Sequence, residues 1–186
     1  VGQVSNLPVS LEHDHDELVG REPRGQVENL PHDLAAATAA ILDLNSRVAQ
    51  ADGLTAASRV VVEQLAAHLT LDRVALAWRR SNGGCVLRAI SGLPRFDPRS
   101  ETAALLQAVA DEAASRGSDG SWPPIGPMNR HALLAHRRLV ETARVDATAT
   151  FVLHDGGRVA GVLIVSGSRA AVHDPTQIRF IRTAAD

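Results

Sequence analysis

Between residues 147 and 167 the chain reads ATATFVLHDGGRVAGVLIVSG, two runs rich in Val, Leu, Ile and Phe on either side of Gly156-Gly157. A glycine pair takes the positive φ angles of a two-residue turn at no steric cost, so the pattern predicts a β-hairpin. With the glycines as the turn, Phe151, Leu153, Ala160, Val162 and Ile164 share one face and Val152, Val159, Leu163 and Val165 share the other. Both faces are apolar. A strand pair of that kind belongs at the centre of a sheet that is covered on each side.

A second hairpin is predicted over residues 73–80 and 85–91, joined by Ser81-Asn82-Gly83-Gly84. In it Val74, Leu76 and Trp78 face inward, Leu87 and Ala89 complete that face, and Arg79 and Arg88 point out. Helical spacing governs most of the rest. Asp33 is placed to cap a helix over 33–52 that carries Leu34, Ile41, Leu44 and Val48 on one stripe, and Asp52-Gly53 ends it. Thr55 is placed to cap a second helix, with Val61, Leu65 and Leu69 at spacing four. A connecting segment over 92–98 leads to a helix with Leu106, Val109 and Ala113 in line, which Gly117 stops after about Arg116.

Residues 117–130, GSDGSWPPIGPMNR, read as a Gly/Pro loop whose Trp122, Ile125 and Met128 suit a lid better than a purely solvated loop. Residues 131–144 admit two readings, a short strand over 132–135 followed by a helix or one continuous helix. Asp174-Pro175 supplies a cap and a first-turn proline, Gln177 completes a capping box, and Ile178, Phe180 and Ile181 begin the apolar face of an outgoing helix over 175–186. Helix, helix, hairpin, helix, loop, short helix, hairpin, helix is an α+β order.

Residues 1–32 differ from all of this: they are polar, without helical or strand period, and predicted to be a disordered low-complexity leader. Gly2-Gln3-Val4-Ser5-Asn6-Leu7-Pro8 recurs there as Gly25-Gln26-Val27-Glu28-Asn29-Leu30-Pro31, and two such short copies cannot build a repeat fold. The first residue is Val and the last stretch is helical, so the chain is expected to be the N-terminal part of a longer protein.

Composition narrows the chemistry. The 186 residues, 45% of them hydrophobic, fill one domain and its core. With a formal charge of −2 and scattered arginines the chain lacks the basic stripe that nucleic acid requires. It contains no lysine, hence neither a P-loop nor a Schiff-base lysine. Cys85 is the single cysteine, which excludes an internal disulfide, a CxxC pair and a cysteine-rich zinc site, and agrees with the cytoplasm. No apolar run approaches the roughly 20 residues that span a bilayer, and the start lacks the order of a signal peptide.

The hairpin Phe151-Val152-Leu153-His154-Asp155-Gly156-Gly157-Arg158-Val159-Ala160-Gly161-Val162-Leu163 resembles the late strand pair of GAF domains, an apolar strand, D-G-x-x and I/V-x-G-x-L. Residues 172–181, VHDPTQIRFI, resemble the closing helix of that family, with Val172 where a Phe is common. The likeness runs from about Leu34 to Asp186 and implies a PAS-related antiparallel sheet of about six strands with helices on both faces. It further implies that the terminal helices cover one face and pair with those of a second copy, giving a homodimer. The other face would be a small-molecule pocket. Residues that fall in its roof are Phe96, Leu106, Trp122, Ile125, Met128, His131 and His136.

The role implied is a non-catalytic sensory or regulatory domain that signals through its outgoing helix to a downstream module. That module would be a sensor kinase, a cyclase, a transcription regulator or an HlyD-like membrane-fusion adaptor of an efflux system. The alternative is a ligand-free dimerisation scaffold with a collapsed pocket. Special versions of the family do not fit. Cyclic-nucleotide binding needs a lysine and a Phe-x-x-x-Asp-Glu, a bilin needs a suitably placed cysteine, and the free methionine sulfoxide reductases use several cysteines, where this chain has Cys85 alone.

No G-x-S-x-G, H-E-x-x-H or G-x-G-x-x-G sequence occurs, so no catalytic residue is assigned, and the cofactor is left open. His13-Asp14-His15-Asp16-Glu17 has ligand-type side chains but no scaffold, and reads as a solvated charge run rather than a metal site. His131 and His136 are five positions apart, about 140° around one helix, and cannot pair on it.

Overall fold

The computed structural model describes residues 30–125 and 133–185. Five antiparallel strands form one sheet: β1 Arg73–Arg79, β2 Cys85–Ile90, β3 Gly120–Trp122, β4 Ala147–Asp155 and β5 Arg158–Gly167, in the order β2-β1-β5-β4-β3. The glycine-turn hairpin is its centre, since β5 lies between β1 and β4 and both strands are buried on their two faces over most of their length. Gly156 and Gly157 take φ of 55° and 79°, the turn that the glycine pair predicts.

Six helices flank the sheet among the described residues: α1 Leu30–Ala49, α2 Gly53–His68, α3 Glu101–Arg116, α4 Leu134–Ala143, α5 Arg169–Val172 and α6 Pro175–Ala185. On one side of the sheet Leu44 of α1, Val62 and Leu65 of α2, Val172 of α5 and Phe180 and Ile181 of α6 pack with Val74, Leu76, Phe151, Leu163 and Val165. On the other, Leu106, Val109 and Ala113 of α3 and Leu139 of α4 pack with Ala77, Leu87, Val152, Val162 and Ile164. This is an α+β sheet with helices on both faces. Among the described residues no helix is long and apolar enough to cross a membrane.

The expected division of the hairpin faces is wrong by one residue. A bulge between Leu153 and His154 shifts the register so that Phe151 stands opposite Leu163 and Val152 opposite Val162. Phe151 therefore shares its face with Leu163 and Val165, not with Val162 and Ile164. A second bulge between Leu76 and Ala77 puts Leu87 on the α3 side and leaves Ala89 with Leu76 on the α2 side, so the two do not share a face as expected.

Element ends also differ. The first helix starts at Leu30, not at Asp33, and stops at Ala49; Pro31 is tolerated in a first turn because that turn's N–H groups lack helical partners anyway. The second helix starts at Gly53 with Asp52 before it, so Thr55 is not its cap. Leu134 and Ala135 are helical, which removes the described half of the strand suggested over 132–135. The loop over 117–130 contains β3, a three-residue strand on β4. Asp174 caps α6, with Oδ1 accepting from the N–H of Thr176 at 2.7 Å and of Gln177 at 3.2 Å, but the Gln177 amide points to Thr70 instead of closing the capping box. The leader residues 1–29 lie outside the described residues.

Among the described residues five strands stand where about six were expected, and side chains occupy both edges. At β2, Gln107 accepts the Leu87 N–H at 3.0 Å and Asp111 accepts the Cys85 N–H at 2.7 Å, both from α3. At β4, just past the end of β3, Asp119 accepts the Val152 N–H at 2.9 Å and Arg182 donates to the Val152 carbonyl at 3.3 Å. An edge whose polar groups are taken in this way is a poor template for another strand.

Candidate functional site

Three chain segments far apart in sequence meet on the α3/α4 side of the sheet. Helix α3 is fixed at its start by Ser100, whose hydroxyl accepts the Ala103 N–H, and at its end by Gly117 in the left-handed conformation, φ 63°. Its Glu112 then faces the start of α4. Leu133, which precedes that helix, offers no side-chain cap; the Glu112 carboxylate takes its place, accepting the N–H of Ala135 at 3.0 Å and of His136 at 3.3 Å. A carboxylate there also meets the positive end of the helix dipole.

The same carboxylate holds the His136 ring, with 2.6 Å between Nδ1 and Oε2. On the far side of the ring Nε2 lies 2.9 Å from Thr150 Oγ1 of β4. His136 is 0% exposed and Thr150 1%. Gly120 closes the cluster: a Cβ on it would lie 3.0 Å from Leu133 Cδ2 and 3.3 Å from His136 Nε2, so any side chain there crowds the ring and its neighbours must give by a few tenths of an ångström.

Burial pushes the His136 pKa below its usual 6.5, and Arg116 adds to this, while hydrogen bonding and the charge of Glu112 act the other way. Neutral His136 keeps both of its ring bonds when Nδ1–H donates to Glu112 and Nε2 accepts the Thr150 hydroxyl, whose single proton is then taken from the longer 3.4 Å contact to the Gly120 carbonyl. A depressed folded-state pKa means that the unfolded chain binds more protons just below 6.5. Stability is therefore full above 6.5 and is lost as the pH falls from there to the lowered folded value. His173, whose pKa burial also lowers, adds a loss of the same sign. Urea unfolding at pH 7.5 and pH 5 is expected to show a lower midpoint at pH 5, with the difference reduced in a His136→Gln variant; an equal difference in that variant would contradict the assignment to His136.

Acid, imidazole and hydroxyl in this order are the parts of a hydrolytic triad, and the spacing matches. Burial of Thr150 and His136 separates the hydroxyl from external molecules in this state, and what the arrangement does here is hold the start of α4. Next to it Thr148 donates to the Val165 carbonyl at 2.9 Å and Ser166 to Thr148 at 3.1 Å, all buried. This face of the sheet thus carries three buried hydroxyls beside apolar α3.

Of the residues expected in the pocket roof, Leu106 is fully buried in the apolar cluster of this face and Phe96 packs against it half-buried. Trp122 stands on β3 opposite Thr148, half-buried. Ile125 is 58% exposed. Met128 and His131 lie outside the described residues, as does the 13–17 charge run. Glu112, Thr148, Thr150 and Ser166 escape the sequence reading; the Thr148-x-Thr150 alternation on the inner face of a central strand was the available signal. Cys85 is buried at 7% exposure, and that burial chiefly pushes its thiol up to about 11, which keeps it protonated at neutral pH. Among the described residues no three metal-ligating side chains converge.

The opposite side of the molecule has a shallow cleft of about 160 Å3 between α1, α2 and α6, walled by Asp43, Leu44, Leu65, His68 and Phe180. None of the roof candidates lines it.

No family model matches the sequence, and no curated protein is significantly similar to it. Solved structures do match. The GAF domain of an Acinetobacter phosphoenolpyruvate-protein phosphotransferase superposes with a TM-score of 0.59 at 13% identity, over 81% of this chain and 88% of that one. The free methionine-R-sulfoxide reductase of Neisseria meningitidis, in complex with its substrate, gives 0.58 at 17% identity, over 81% and 84%. The chromophore-binding domain of Stigmatella aurantiaca phytochrome P1 gives 0.54 at 17% identity, over 88% and 59%. Sheet order, helices on both faces and these superpositions agree: the chain has the fold of a GAF domain.

Proposed function

We propose that the chain is a sensory or regulatory domain that takes a small molecule on the α3/α4 face and passes its occupancy through α6 to a module beyond it. The observation that carries this is the group of buried polar residues on that face, His136, Thr148, Thr150 and Ser166, with the partly exposed Glu112 holding the His136 ring, where an apolar sheet needs none for stability. The similar structures include a chromophore-binding domain and a reductase holding its substrate, which supports a small-molecule role. The reading is of a cytoplasmic, non-catalytic domain that pairs with a second copy through its terminal helices. Its downstream module is a sensor kinase, a cyclase, a transcription regulator or an HlyD-like membrane-fusion adaptor. Trp122 and Phe96 are its contact residues, and His136 becomes one only when the α3/α4 face opens; the Met128 and His131 expected beside them lie outside the described residues.

The second reading, a dimerising scaffold with a collapsed pocket, is favoured by Leu106, Val109 and Ala110, all at 0% exposure, which fill the space under α3. A thermal-shift screen of the full chain against nucleotides, amino acids, haem and small organic anions separates the two, with mass spectrometry of whatever is retained from expression. A saturating upward shift of several degrees that is lost in Trp122→Ala is the expected result. A flat response to all of them, with a concentration-dependent dimer, would favour the scaffold.

A further inference from the structure

Helix α6 and the candidate site lie on opposite faces of the sheet. Phe180 and Ile181 of α6 belong to the apolar cluster on the α1/α2 side, and Phe180 stacks on His68 with ring centroids 4.6 Å apart. Arg182 of that helix runs along this face to the edge of the sheet. Arg182 passes over the Phe151 ring, its guanidinium carbon 5.3 Å from the ring centroid, donates to the Val152 carbonyl and forms an ion pair with Asp119. It reaches Asp119 at the stretch of β4 that β3 does not cover.

Asp119 sits three residues beyond the end of α3 and directly before Gly120, the residue wedged against His136 and Thr150. Its other carboxylate oxygen accepts the Val152 N–H, two residues along β4 from Thr150. The carboxylate is thus shared between the outgoing helix and the strand that carries the buried hydroxyl. A shift of α3 or β3 relative to β4 must move Asp119, and with it one end of the ion pair.

We infer that the Arg182–Asp119 pair is the coupling between the α3/α4 face and the outgoing helix, so that a rearrangement around Glu112 and His136 changes how firmly α6 is docked. As a route of regulation this rests on the sensory reading. The coupling itself is testable with no ligand present, so its failure is distinct from failure of that reading, which the compound screen decides.

The test is amide hydrogen exchange of the full chain, read in residues 175–185, with Glu112→Gln as the perturbation on the far face. In the otherwise native chain Glu112→Gln is expected to speed exchange in α6 by about fivefold or more, the lower end of couplings between sites. In an Arg182→Gln background the same substitution is expected to leave α6 exchange as Arg182→Gln alone sets it. Asp119→Asn serves as a second background: it breaks the pair from the other end, can still accept the Val152 N–H, and covers the case in which Arg182→Gln does not fold. An α6 that ignores Glu112→Gln, or that responds by the same factor with and without the ion pair, would overturn the inference.

Discussion

Replacing Glu112 by alanine is expected to lower the stability of the domain by about 3 kcal/mol. The carboxylate accepts three hydrogen bonds, from the N–H groups of Ala135 and His136 and from His136 Nδ1. Its removal leaves the first turn of α4 uncapped and one nitrogen of a wholly buried ring without its acceptor. An N-cap alone is worth about 1 kcal/mol, and an orphaned buried polar group about 1–3 kcal/mol more. For a chain of this length the sum corresponds to a fall of roughly 6–12 °C in the unfolding midpoint. Glu112→Gln keeps one acceptor and is expected to lose less. Calorimetry of the two variants checks this; an alanine variant within about 1 °C of the native chain would mean that the cluster contributes nothing to holding α4.

Gly161→Val is expected to cost a similar amount, about 3 kcal/mol, by a different mechanism. Gly161 stands opposite Trp78 on β1 and Leu153 on β4. A Cβ there would lie 2.8 Å from the Ala77 carbonyl oxygen and 2.9 Å from Trp78 Cε3, closer than real contacts allow. The indole has little freedom to yield, because Nε1 donates to Ser58 Oγ at 2.8 Å and that hydroxyl donates to the Leu54 carbonyl at 2.6 Å. Burial of Ser58 at 1% exposure makes the anchor costly to break. Denaturant unfolding of Gly161→Ala and Gly161→Val should show a graded loss. Equal stability in both and in the native chain would contradict the close approach.

The second of these predictions shows what the sequence could and could not carry. The glycine in the V-A-G-V-L run was visible as part of a resemblance, but its reason, an indole from another hairpin lying on it, is a tertiary contact. The hairpins were legible because a turn and its flanking alternation are local. Their register was not: one extra residue, Ala160 on β5 opposite Leu153/His154, and another, Arg88 on β2 opposite Leu76/Ala77, reassign whole faces, and no local pattern marks either bulge.

The site divides in the same way. His136 could be singled out as a histidine near a roof, whereas Glu112 is one acid among several on α3, 24 residues away, and Thr150 is a threonine in a strand of Ala and Thr, 14 residues away. Ile125, placed in the roof by the family resemblance, is 58% exposed, and Leu106 is fully buried against the sheet. The β2 edge is a further case: Gln107 and Asp111 read as ordinary polar positions of an amphipathic helix, yet their oxygens accept the N–H groups of Leu87 and Cys85.

The central claim is that a small molecule is held on the α3/α4 face. Amide exchange of the full chain, with and without the compound giving the largest thermal shift in the screen, tests it most directly. The account predicts slowed exchange in residues 101–125 and 133–153, with a smaller change in α6. Protection confined to α1, α2 and the cleft beside Phe180, or no compound that shifts the chain at all, would contradict it.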